Sequence, residues 1–298
     1  MIKGGIGVVV GIDLDEACRF PYEANNSAKF IQRDIRELSS GDLISLWPKV
    51  GYRLLAGCAP CQPFSTYSRK GRRDRDDTKW DLVDDFGRLI RESTPDLVTM
   101  ENVPQLIDHA VFAGFMKSLS GYQICHKIIE CADFGVPQTR KRLVLLASRL
   151  NPIGLSDTCL VDEQDRPTVR KSISGLRRLA AGETDSRDSL HRDCKLSPTN
   201  LRRIKASKPG GTWRDWDRSL IAKCHRKQSG ETYPSVYGRM EWDAPAPTIT
   251  TQCFGYGNGR FGHPEQNRAI TLREAAILQT FPASYKFLRK GEKVIFST

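Results

Sequence analysis

The segment GCAPCQPFS carries two cysteines, Cys58 and Cys61, at a spacing typical of metal clips and of redox pairs. A structural zinc site needs four ligands, usually supplied by a second short-spaced pair of cysteines or histidines. The remaining cysteines form no such pair, and the five histidines are scattered. A redox pair is disfavoured because the segment follows an inner strand and no helix begins directly after it. We therefore interpret Cys58 as a small buried residue that closes the strand.

Cys61 remains as a candidate nucleophile. It lies in a turn fixed by Pro60 and Pro63. The segment that follows contains four nearby cations, Arg69, Lys70, Arg72 and Arg73. Positive charge near a thiol favours the thiolate, which is the reactive form. A nucleophile also needs an acid–base partner, and Glu101 in TMENVP offers a carboxyl group at the end of the next strand. Taken alone, ENV also fits an ordinary strand end.

The candidate residues follow short β-rich runs that alternate with helix-like segments in the first half of the chain. Strands are expected at GVVVGID, YRLLAG, DLVTMEN, YQICHKIIE and RLVLLAS. Helices are expected at DEACRFPYEANN, KWDLVDDFGRLIRES and HAVFAGFMKSL. This alternation predicts βαβ units and an α/β fold with a doubly wound, mostly parallel sheet. Ligands of such sheets bind beyond the carboxyl ends of the strands, where Asp13, the 58–65 segment and Glu101-Asn102 fall.

The bulk composition indicates a soluble protein that binds a polyanion. The chain of 298 residues has a formal net charge of +11 and a pI near 9.3. Nucleic acid is therefore the expected partner, and a basic surface that serves only solubility is the alternative. No apolar run approaches the roughly 20 residues of a membrane helix, and the N-terminus lacks the apolar stretch of a signal peptide. We expect a cytoplasmic protein whose cysteines are reduced thiols.

After about residue 151 the alternation stops, and the sequence becomes polar and rich in Ser, Thr, Gly, Pro and Arg. Residues 171–230 contain 15 Lys and Arg against 6 Asp and Glu. Aromatic residues lie in or just beyond this segment: Trp213, Trp216, Tyr233, Tyr237 and Trp242. Because cations hold phosphates and rings stack on bases, the segment predicts a nucleic-acid surface. The alternative is an irregular, solvated domain with a few core aromatics. Order returns in AITLREAAILQTFP, which is expected to form a helix.

Several motifs, in their order along the chain, resemble the cytosine-5 DNA methyltransferases. PCQPFS at 60–65 is followed by ENVP at 101–104 and by FGVPQTRKR at 134–142. The opening VVVGIDLDEACRFPYEAN, RDI, and the late PAPTITT and GRFGHPEQNRAITLREAAILQTFP are also similar to that family. The resemblance covers most of residues 8–150 and 244–287, and the basic segment lies where the family has its variable target-recognition region.

The resemblance implies a Rossmann-like methyltransferase fold in two domains. Residues 1–150 would form the catalytic domain, which uses S-adenosylmethionine. Residues 151–298 would form a smaller, irregular DNA-recognition domain together with a returning helical segment. The implied reaction is methyl transfer to carbon 5 of cytosine in a specific duplex DNA sequence.

The resemblance also implies roles for the site residues. The Cys61 thiolate adds to carbon 6 of the base, which makes carbon 5 nucleophilic, and Glu101 donates a proton at ring nitrogen 3. Arg142 holds the base carbonyl, and Arg140 supports the site. Loss of the carbon-5 proton and elimination of Cys61 complete the reaction. The target base must be flipped out of the duplex, because the site cannot reach it in the stack.

The implied binding residues fall into two groups. Asp13 is placed like the acid that binds the donor ribose, Asp34 resembles the acid that contacts the adenine amino group, and Pro60 is expected to contact the donor. The DNA contacts expected near the nucleophile are Gln62, Ser65, Arg69, Lys70, Arg72 and Arg73. Residues 171–245 are expected to read flanking bases in the major groove, where base pairs are distinguishable. No metal is expected.

The sequence departs from the family pattern at both ends. Family members begin with a strand and a Gly-rich loop that cradle the donor, whereas this sequence starts at MIKGGIGVVVGID. It also stops at GEKVIFST, before the family's GN segment and the helix that packs beside the N-terminus. Both pieces belong to the donor pocket, and the first strand is central to the sheet. We therefore expect weak donor binding and low stability from these 298 residues alone.

Two alternatives to a DNA methyltransferase remain. The first is a tRNA cytosine-5 methyltransferase, against which the long basic region argues, because that branch has a reduced recognition region. The second is an inactive DNA-binding fragment that has kept its recognition region. For the DNA methyltransferase we expect a monomer in a restriction-modification system, with double-stranded DNA and a cognate restriction endonuclease as partners and no membrane contact.

Overall fold

The computed structural model describes residues 5–60, 81–227, 230, 233–292 and 294. The strands are β1 (Val10–Asp13), β2 (Lys29–Gln32), β3 (Leu54–Gly57), β4 (Leu97–Asn102), β5 (Gln123–Glu130), β6 (Gln138–Thr139), β7 (Lys141–Ser148), β8 (Thr184–Asp185), β9 (Asp188–Arg192) and β10 (Ala246–Pro247). The α-helices are α1 (Arg19–Asn26), α2 (Ser40–Leu46), α3 (Asp81–Ser93), α4 (Ala110–Lys117), α5 (Val169–Ile173), α6 (Pro198–Ala206) and α7 (Leu272–Leu278). No helix within these ranges is long and apolar enough to cross a membrane.

The chain divides into two compact units. The first unit consists of Met1–Glu130, Lys141–Cys159 and Lys286–Arg289. The second unit consists of Cys131–Arg140, Leu160–Tyr285 and Lys290–Thr298. The segment 131–140 therefore belongs to the second unit, although both of its flanking strands belong to the first.

The first unit has the expected α/β architecture, with one difference in strand direction. β1 pairs with β2 and β3 pairs with β4, both in parallel. β7 lies between β4 and β5 and runs antiparallel to both. The ten-residue connection from β5 to β7, residues 131–140, is too short for a helical crossover. An antiparallel pair needs no crossover, so the last two strands form a hairpin-like pair rather than a βαβ unit.

The strands of the first unit form two separate hydrogen-bonded networks. Within the described part of the chain, β1 is paired with β2 alone, and β3 is paired with β4 alone. The family resemblance places a further strand in the centre of the sheet, and no described residue supplies it. Among the described residues, β1 and β3 therefore each have one edge without a strand partner.

Helix α3 packs against the four-stranded sheet as its sequence pattern predicts. Val83, Phe86 and Ile90 recur at the spacing of one helix face and are buried. Phe86 stacks on Phe115 of α4 at a centroid distance of 5.6 Å, and both rings join Met100 of β4 in one core cluster. The helices expected at KWDLVDDFGRLIRES and HAVFAGFMKSL are thus confirmed as α3 and α4.

The second unit is built from short elements around two apolar clusters. One cluster surrounds α5 and α7, and the other surrounds Ile204 of α6. Helix α7 begins at a capping box, in which Thr271 and Glu274 bond reciprocally to each other's backbone amides. The helix expected at AITLREAAILQTFP is confirmed, although the regular turns cover only Leu272–Leu278.

Buried arginines hold the loops of the second unit. Arg239 is 4% exposed and donates to the carbonyl oxygens of Ile204, Ser207, His263 and Gln266. These bonds tie widely separated segments to one guanidinium. A buried carbonyl oxygen without a hydrogen-bond donor is costly. Arg239 provides these donors where the chain has no regular secondary structure to provide them.

A second buried arginine forms an ion pair at the start of α7. Arg268 Nη1 and Nη2 each lie 2.7 Å from a carboxylate oxygen of Glu274, and neither side chain is more than 1% exposed. This two-pronged geometry is the strong form of an arginine–carboxylate contact. It fixes the N-terminal end of α7 to the loop that precedes it.

Candidate active site

The ends of β3 and β4 bring Cys58 and Glu101 together. Gly57 pairs with Met100 in the parallel register, so the next residue of each strand lies beside the other. The Cys58 thiol donates to Glu101 Oε2, with Sγ and the oxygen 2.9 Å apart. The carboxyl end of the sheet therefore carries a thiol–carboxylate contact immediately before Pro60 and the following residues.

Cys58 does not have the role that the sequence suggested. The expectation of a small buried residue that closes the strand is wrong, because the Cys58 side chain is exposed. The strand ends at Gly57, and Cys58 lies beyond the last residue that β3 pairs with β4. Ala59, rather than Cys58, packs against the core of the first unit.

Arg142 binds the other oxygen of the Glu101 carboxylate. In the antiparallel register of β4 and β7, Asn102 pairs with Leu143, which brings Arg142 past the end of β4. Arg142 Nε lies 2.5 Å from Glu101 Oε1. The Arg142 side chain is 14% exposed, whereas that of Glu101 is 40% exposed. The structure thus brings together two of the residues that the sequence assigned to the chemistry.

Asn102 anchors the segment that leads to the candidate nucleophile. Its side chain is 3% exposed, and Nδ2 donates to the Ala59 carbonyl oxygen at 3.1 Å. Its Oδ1 accepts from the Val103 amide at 2.8 Å. The sequence singled out Glu101-Asn102 as a strand end but gave Asn102 no role. The alternation of β4, with Val98, Met100 and Asn102 on its buried face, contained that signal.

A cavity of about 760 Å³ lies in the first unit beside these residues. It is lined by residues of β1, β3 and the segments that follow them, including the three predicted donor-binding residues Asp13, Asp34 and Pro60. Apolar side chains form much of the remaining wall: Ile12, Leu14, Ile35, Leu38, Leu43, Trp47, Leu82 and Phe86. A volume of this size is typical of small-molecule sites.

The two acids of the cavity have different surroundings. Asp13 Oδ1 accepts the Asp15 amide at 2.9 Å at the end of β1. Asp34 begins a short 3-10 helix, where its Oδ1 accepts the Arg36 amide at 2.9 Å. The Arg36 guanidinium also binds this carboxylate, with Nε 3.0 Å from both oxygens. The side-chain bond from Arg36, reinforced by the backbone bond, holds the pKa of Asp34 below its usual value.

The cavity fits the chemistry of an adenosine-containing methyl donor. The donor ribose offers hydroxyl groups and its adenine offers an amino group, and carboxylates accept hydrogen bonds from both. Asp13 and Asp34 place such acceptors on the lining, and the apolar residues between them suit the faces of a base. The structure therefore brings the predicted donor-binding residues to one cavity.

Arg140 belongs to the second compact unit, whereas Glu101 and Arg142 belong to the first. Its Nη1 donates to the Ile249 carbonyl oxygen at 3.4 Å. The neighbouring Gln138 is 1% exposed, and its Oε1 accepts the Ile249 amide at 3.0 Å. This part of QTRKR therefore fixes the segment around Ile249.

The remaining predicted site residues lie outside the described residues. They are Cys61, Gln62, Ser65, Arg69, Lys70, Arg72 and Arg73. Their assignments stay predictions.

The aromatic residues of the basic segment are mostly core residues. Trp213 and Trp216 are each 6% exposed and belong to the cluster around Ile204, with Tyr233 and Tyr237 packed against it. The prediction that these tryptophans stack on bases is wrong, because their rings build the interior of the second unit. The alternative of a domain with core aromatics holds for them.

Many cations of the same segment do lie at the surface. Exposed examples are Lys171, Arg178, Arg187, Arg202, Lys205, Lys208, Arg214, Arg218, Lys223, Arg226 and Lys227. The sequence could not separate these roles, because a ring beside a cation is compatible with both a core and a binding surface.

Comparison with known proteins gives one consistent family. A family model described as C-5 cytosine-specific DNA methylase matches residues 1–297. The Type II methylase M.HgiDII of Herpetosiphon aurantiacus is 50% identical over 297 residues, which is 98% of this chain and 83% of the relative. The Type II methyltransferase M1.HphI of Haemophilus parahaemolyticus is 30% identical over 295 residues, covering 97% of this chain and 75% of the relative.

Solved structures show the same fold. An E. coli prophage protein described as a DNA modification methyltransferase has a TM-score of 0.69 at 20% identity. That match covers 96% of this chain and 85% of the other. The S. pombe Dnmt2 methyltransferase has a TM-score of 0.55 at 16% identity, over 94% of this chain and 80% of the other.

Proposed function

The chain belongs to the C-5 cytosine-specific DNA methylase family, and from that premise we propose how it acts. It transfers a methyl group from S-adenosylmethionine to carbon 5 of a flipped-out cytosine in a specific duplex DNA sequence. The transfer proceeds through a covalent bond between Cys61 and carbon 6 of the base. The observation that carries the proposal is the carboxylate of Glu101, held by Arg142 and by Cys58, which follows β3.

Attack by the Cys61 thiolate places negative charge on the cytosine ring. Glu101 takes up a proton from solvent when Arg142 leaves it, and relieves that charge by donating the proton at nitrogen 3. Arg142 contacts the base carbonyl, for which its guanidinium leaves Glu101. Carbon 5 becomes electron-rich and takes the methyl group. Loss of the carbon-5 proton to solvent, with return of the nitrogen-3 proton to Glu101, then expels the Cys61 thiolate and restores the aromatic ring. The positive charge that reaches the ring with the methyl group thus leaves as the carbon-5 proton.

S-adenosylmethionine supplies an electrophilic methyl group. Asp13 and Asp34 hold its ribose and adenine, and Pro60 contacts it from the side of the nucleophile. Support comes from the cavity of about 760 Å³, whose lining contains all three residues. Cys58 lines the cavity and also contacts the Glu101 carboxyl group, so donor and base can meet on either side of the segment that follows β3.

The exposed cations of residues 171–230 bind the phosphates of the duplex. Non-specific binding of this kind weakens steeply with salt, because it rests on the release of condensed counterions. Support comes from the exposed arginines and lysines of the second unit. The residues 62–73 contribute contacts near the flipped base. The protein acts as the modification enzyme of a Type II system, with a cognate restriction endonuclease as its counterpart.

Covalent trapping tests this function. Bisulfite sequencing of DNA from cells that express the chain first identifies the methylated sequence. A duplex of that sequence with 5-fluorocytosine at the target is then incubated with protein and S-adenosylmethionine. Because fluorine cannot leave as a cation, the covalent adduct persists and survives denaturing electrophoresis. We expect an adduct that Cys61→Ser abolishes and that Cys159→Ser, which changes another exposed thiol, leaves intact.

The same experiment separates the alternatives. An adduct that persists in Cys61→Ser would overturn the assignment of the nucleophile. Retention of DNA without methylation or adduct would support a DNA-binding fragment. Methylation of transfer RNA in place of DNA would support the tRNA alternative, against which the exposed basic surface of the second unit argues.

A further inference from the structure

We propose that Cys58 is a positioning residue for Glu101, which it holds through a thiol–carboxylate hydrogen bond. The bond fixes Oε2, so that Oε1 is the oxygen presented to the cytosine ring. This inference rests on the proposed function, because it assigns a partner to the proposed proton donor.

The strand register creates the contact. Gly57 and Met100 are the last residues paired between β3 and β4, and Cys58 and Glu101 follow them directly. Glu101 is itself paired with Val144 of β7, so the ladders fix the backbone of Glu101 and that of the residue before Cys58. Between these fixed backbones, Cys58 Sγ and Glu101 Oε2 lie 2.9 Å apart.

The Glu101 carboxylate is bound at both oxygens by donors of different kinds. Arg142 Nε lies 2.5 Å from Oε1, and the neutral thiol of Cys58 binds Oε2. A terminal carboxyl torsion has a broad and roughly two-fold energy profile, so one contact does not fix its rotation. Two donors on opposite oxygens do fix it.

The Cys58 bond matters most when the base is bound. Arg142 is then required at the base carbonyl, and its hold on Oε1 is released. The thiol remains as a donor to Oε2, because Cys58 is attached to β3 and has no contact with the base in this scheme. Oε1 is left toward ring nitrogen 3, where it delivers the proton that the carboxylate takes up from solvent after Arg142 leaves. The step moves a proton only, and the thiol stays reduced and protonated throughout.

Packing does not account for Cys58. Its side chain is exposed, whereas a cysteine that serves packing is among the most buried residues. The adjacent Ala59 contacts the core, and its carbonyl is held by Asn102. The position of the backbone is thus secured without the thiol. A hydrogen-bond donor is what the Cys58 side chain adds.

A pair of substitutions separates hydrogen bonding from packing. Cys58→Ser keeps a donor of similar size, and Cys58→Ala removes the donor. We expect Cys58→Ala to lower kcat about tenfold, the size expected for a lost hydrogen bond to a charged group, with the KM for DNA unchanged. Cys58→Ser should retain most of the wild-type kcat, and Cys159→Ala serves as the matched control at another exposed cysteine. Equal kcat for wild type and Cys58→Ala, or a lower kcat for Cys58→Ser than for Cys58→Ala, would overturn the proposal.

A thermal unfolding cycle tests the same contact without turnover. We expect Cys58→Ala to lower the melting temperature by about 2 °C in the wild-type background and to have no effect on Glu101→Ala. An equal shift in both backgrounds would show that Cys58 acts independently of Glu101 and overturn the inference. If Glu101→Ala itself methylates DNA at the wild-type rate, the proposed function of Glu101 fails, and this inference fails with it. An inactive Glu101→Ala beside a fully active Cys58→Ala contradicts this inference alone.

Discussion

Arg36 bears on donor affinity through the acid that it binds. Its guanidinium binds both oxygens of Asp34, the acid proposed to accept the adenine amino group. Asp81 and Asp85 also act electrostatically on Arg36, so the guanidinium has other acids to attract it when it leaves Asp34. The donor and Arg36 therefore compete for one carboxylate.

We expect Arg36→Ala to tighten S-adenosylmethionine binding severalfold, because the adenine amino group no longer displaces a cation. Isothermal titration calorimetry on the full chain measures the dissociation constant. Arg170→Ala is the matched control, since it removes a similarly exposed arginine from Asp243 in the second unit. Weaker donor binding by Arg36→Ala would show that the arginine assists the donor.

For single residues, the sequence identified the acidic site residues but not the side chains that contact them. Asp13, Asp34 and Glu101 were identified because each follows a predicted strand, and position after a strand is readable from hydrophobic runs. The contact of Arg36 with Asp34 and the exposure of Cys58 depend on side-chain directions at the strand and turn ends. Those directions are set by the tertiary structure.

At the scale of elements, the close approach of β3 to α3 fixes where the site lies. A Cβ placed on Gly57 would come within 2.6 Å of the Phe86 ring. That ring is 6% exposed and stacked on Phe115, so it cannot move aside freely. The absence of a side chain at Gly57 is what lets β3 end directly against the helix.

Gly57→Ala should therefore destabilise the first unit by about 1–3 kcal/mol, the usual cost of overpacking a core. It should also lower kcat, because Cys58 follows Gly57 directly and moves with it. Chemical denaturation and steady-state kinetics measure the two effects. At Gly154, by contrast, an added Cβ meets nothing within 4 Å, so Gly154→Ala should leave both quantities near wild type.

The elements themselves were largely predictable, because burial imposes a period on the sequence. α3, α4 and α7 occur where the apolar spacing predicted them, and the five expected strands of the first half are present. The antiparallel direction of β7 was not predicted. An apolar run such as RLVLLAS predicts a buried strand, but it does not indicate whether that strand runs parallel or antiparallel to its neighbours.

At the scale of the whole molecule, two buried groups of the second unit oppose each other in their dependence on pH. Burial raises the pKa of Asp193 to about 7, although the Gly182 amide bonds its Oδ2. Burial lowers the pKa of His263 to about 4, and two backbone amides donate to its Nδ1. Arg268 and Glu274 act electrostatically on both groups.

Between pH 5 and 6.5 the two groups change the free energy of unfolding in opposite directions as the pH rises. There the folded state binds one more proton than the unfolded state at Asp193, so stability falls as the pH rises. At His263 the unfolded state binds one more proton, so stability rises with pH. Each slope has a magnitude of about 1 kcal/mol per pH unit, and together they leave the stability of the second unit nearly constant.

In Asp193→Asn, the pH dependence of stability that comes from His263 should remain without the opposing contribution of Asp193. We expect the variant to gain stability from pH 5 to 6.5, by about 1 kcal/mol per pH unit, while the wild type changes little. Urea unfolding followed by tryptophan fluorescence suits the test, because Trp213 and Trp216 are buried in this unit. Identical pH profiles for wild type and Asp193→Asn would contradict the assignment. None of this was readable from the sequence, since residues 193 and 263 are buried together only by the fold.

The separation, among the described residues, of the β1–β2 pair from the ladder of β3, β4, β7 and β5 has a consequence for how the first unit unfolds. Hydrogen bonds transmit order within a sheet, and here they stop between two networks whose residues line one cavity. The β1–β2 pair can therefore open as a local unit without breaking the ladder of β3, β4, β7 and β5. A ligand in the cavity contacts residues of both networks, so its full set of contacts forms only when both are in place. Donor binding would then stabilise the closed arrangement of both strand networks. The concentration of methyl donor would therefore also set how strongly the first unit resists proteolysis.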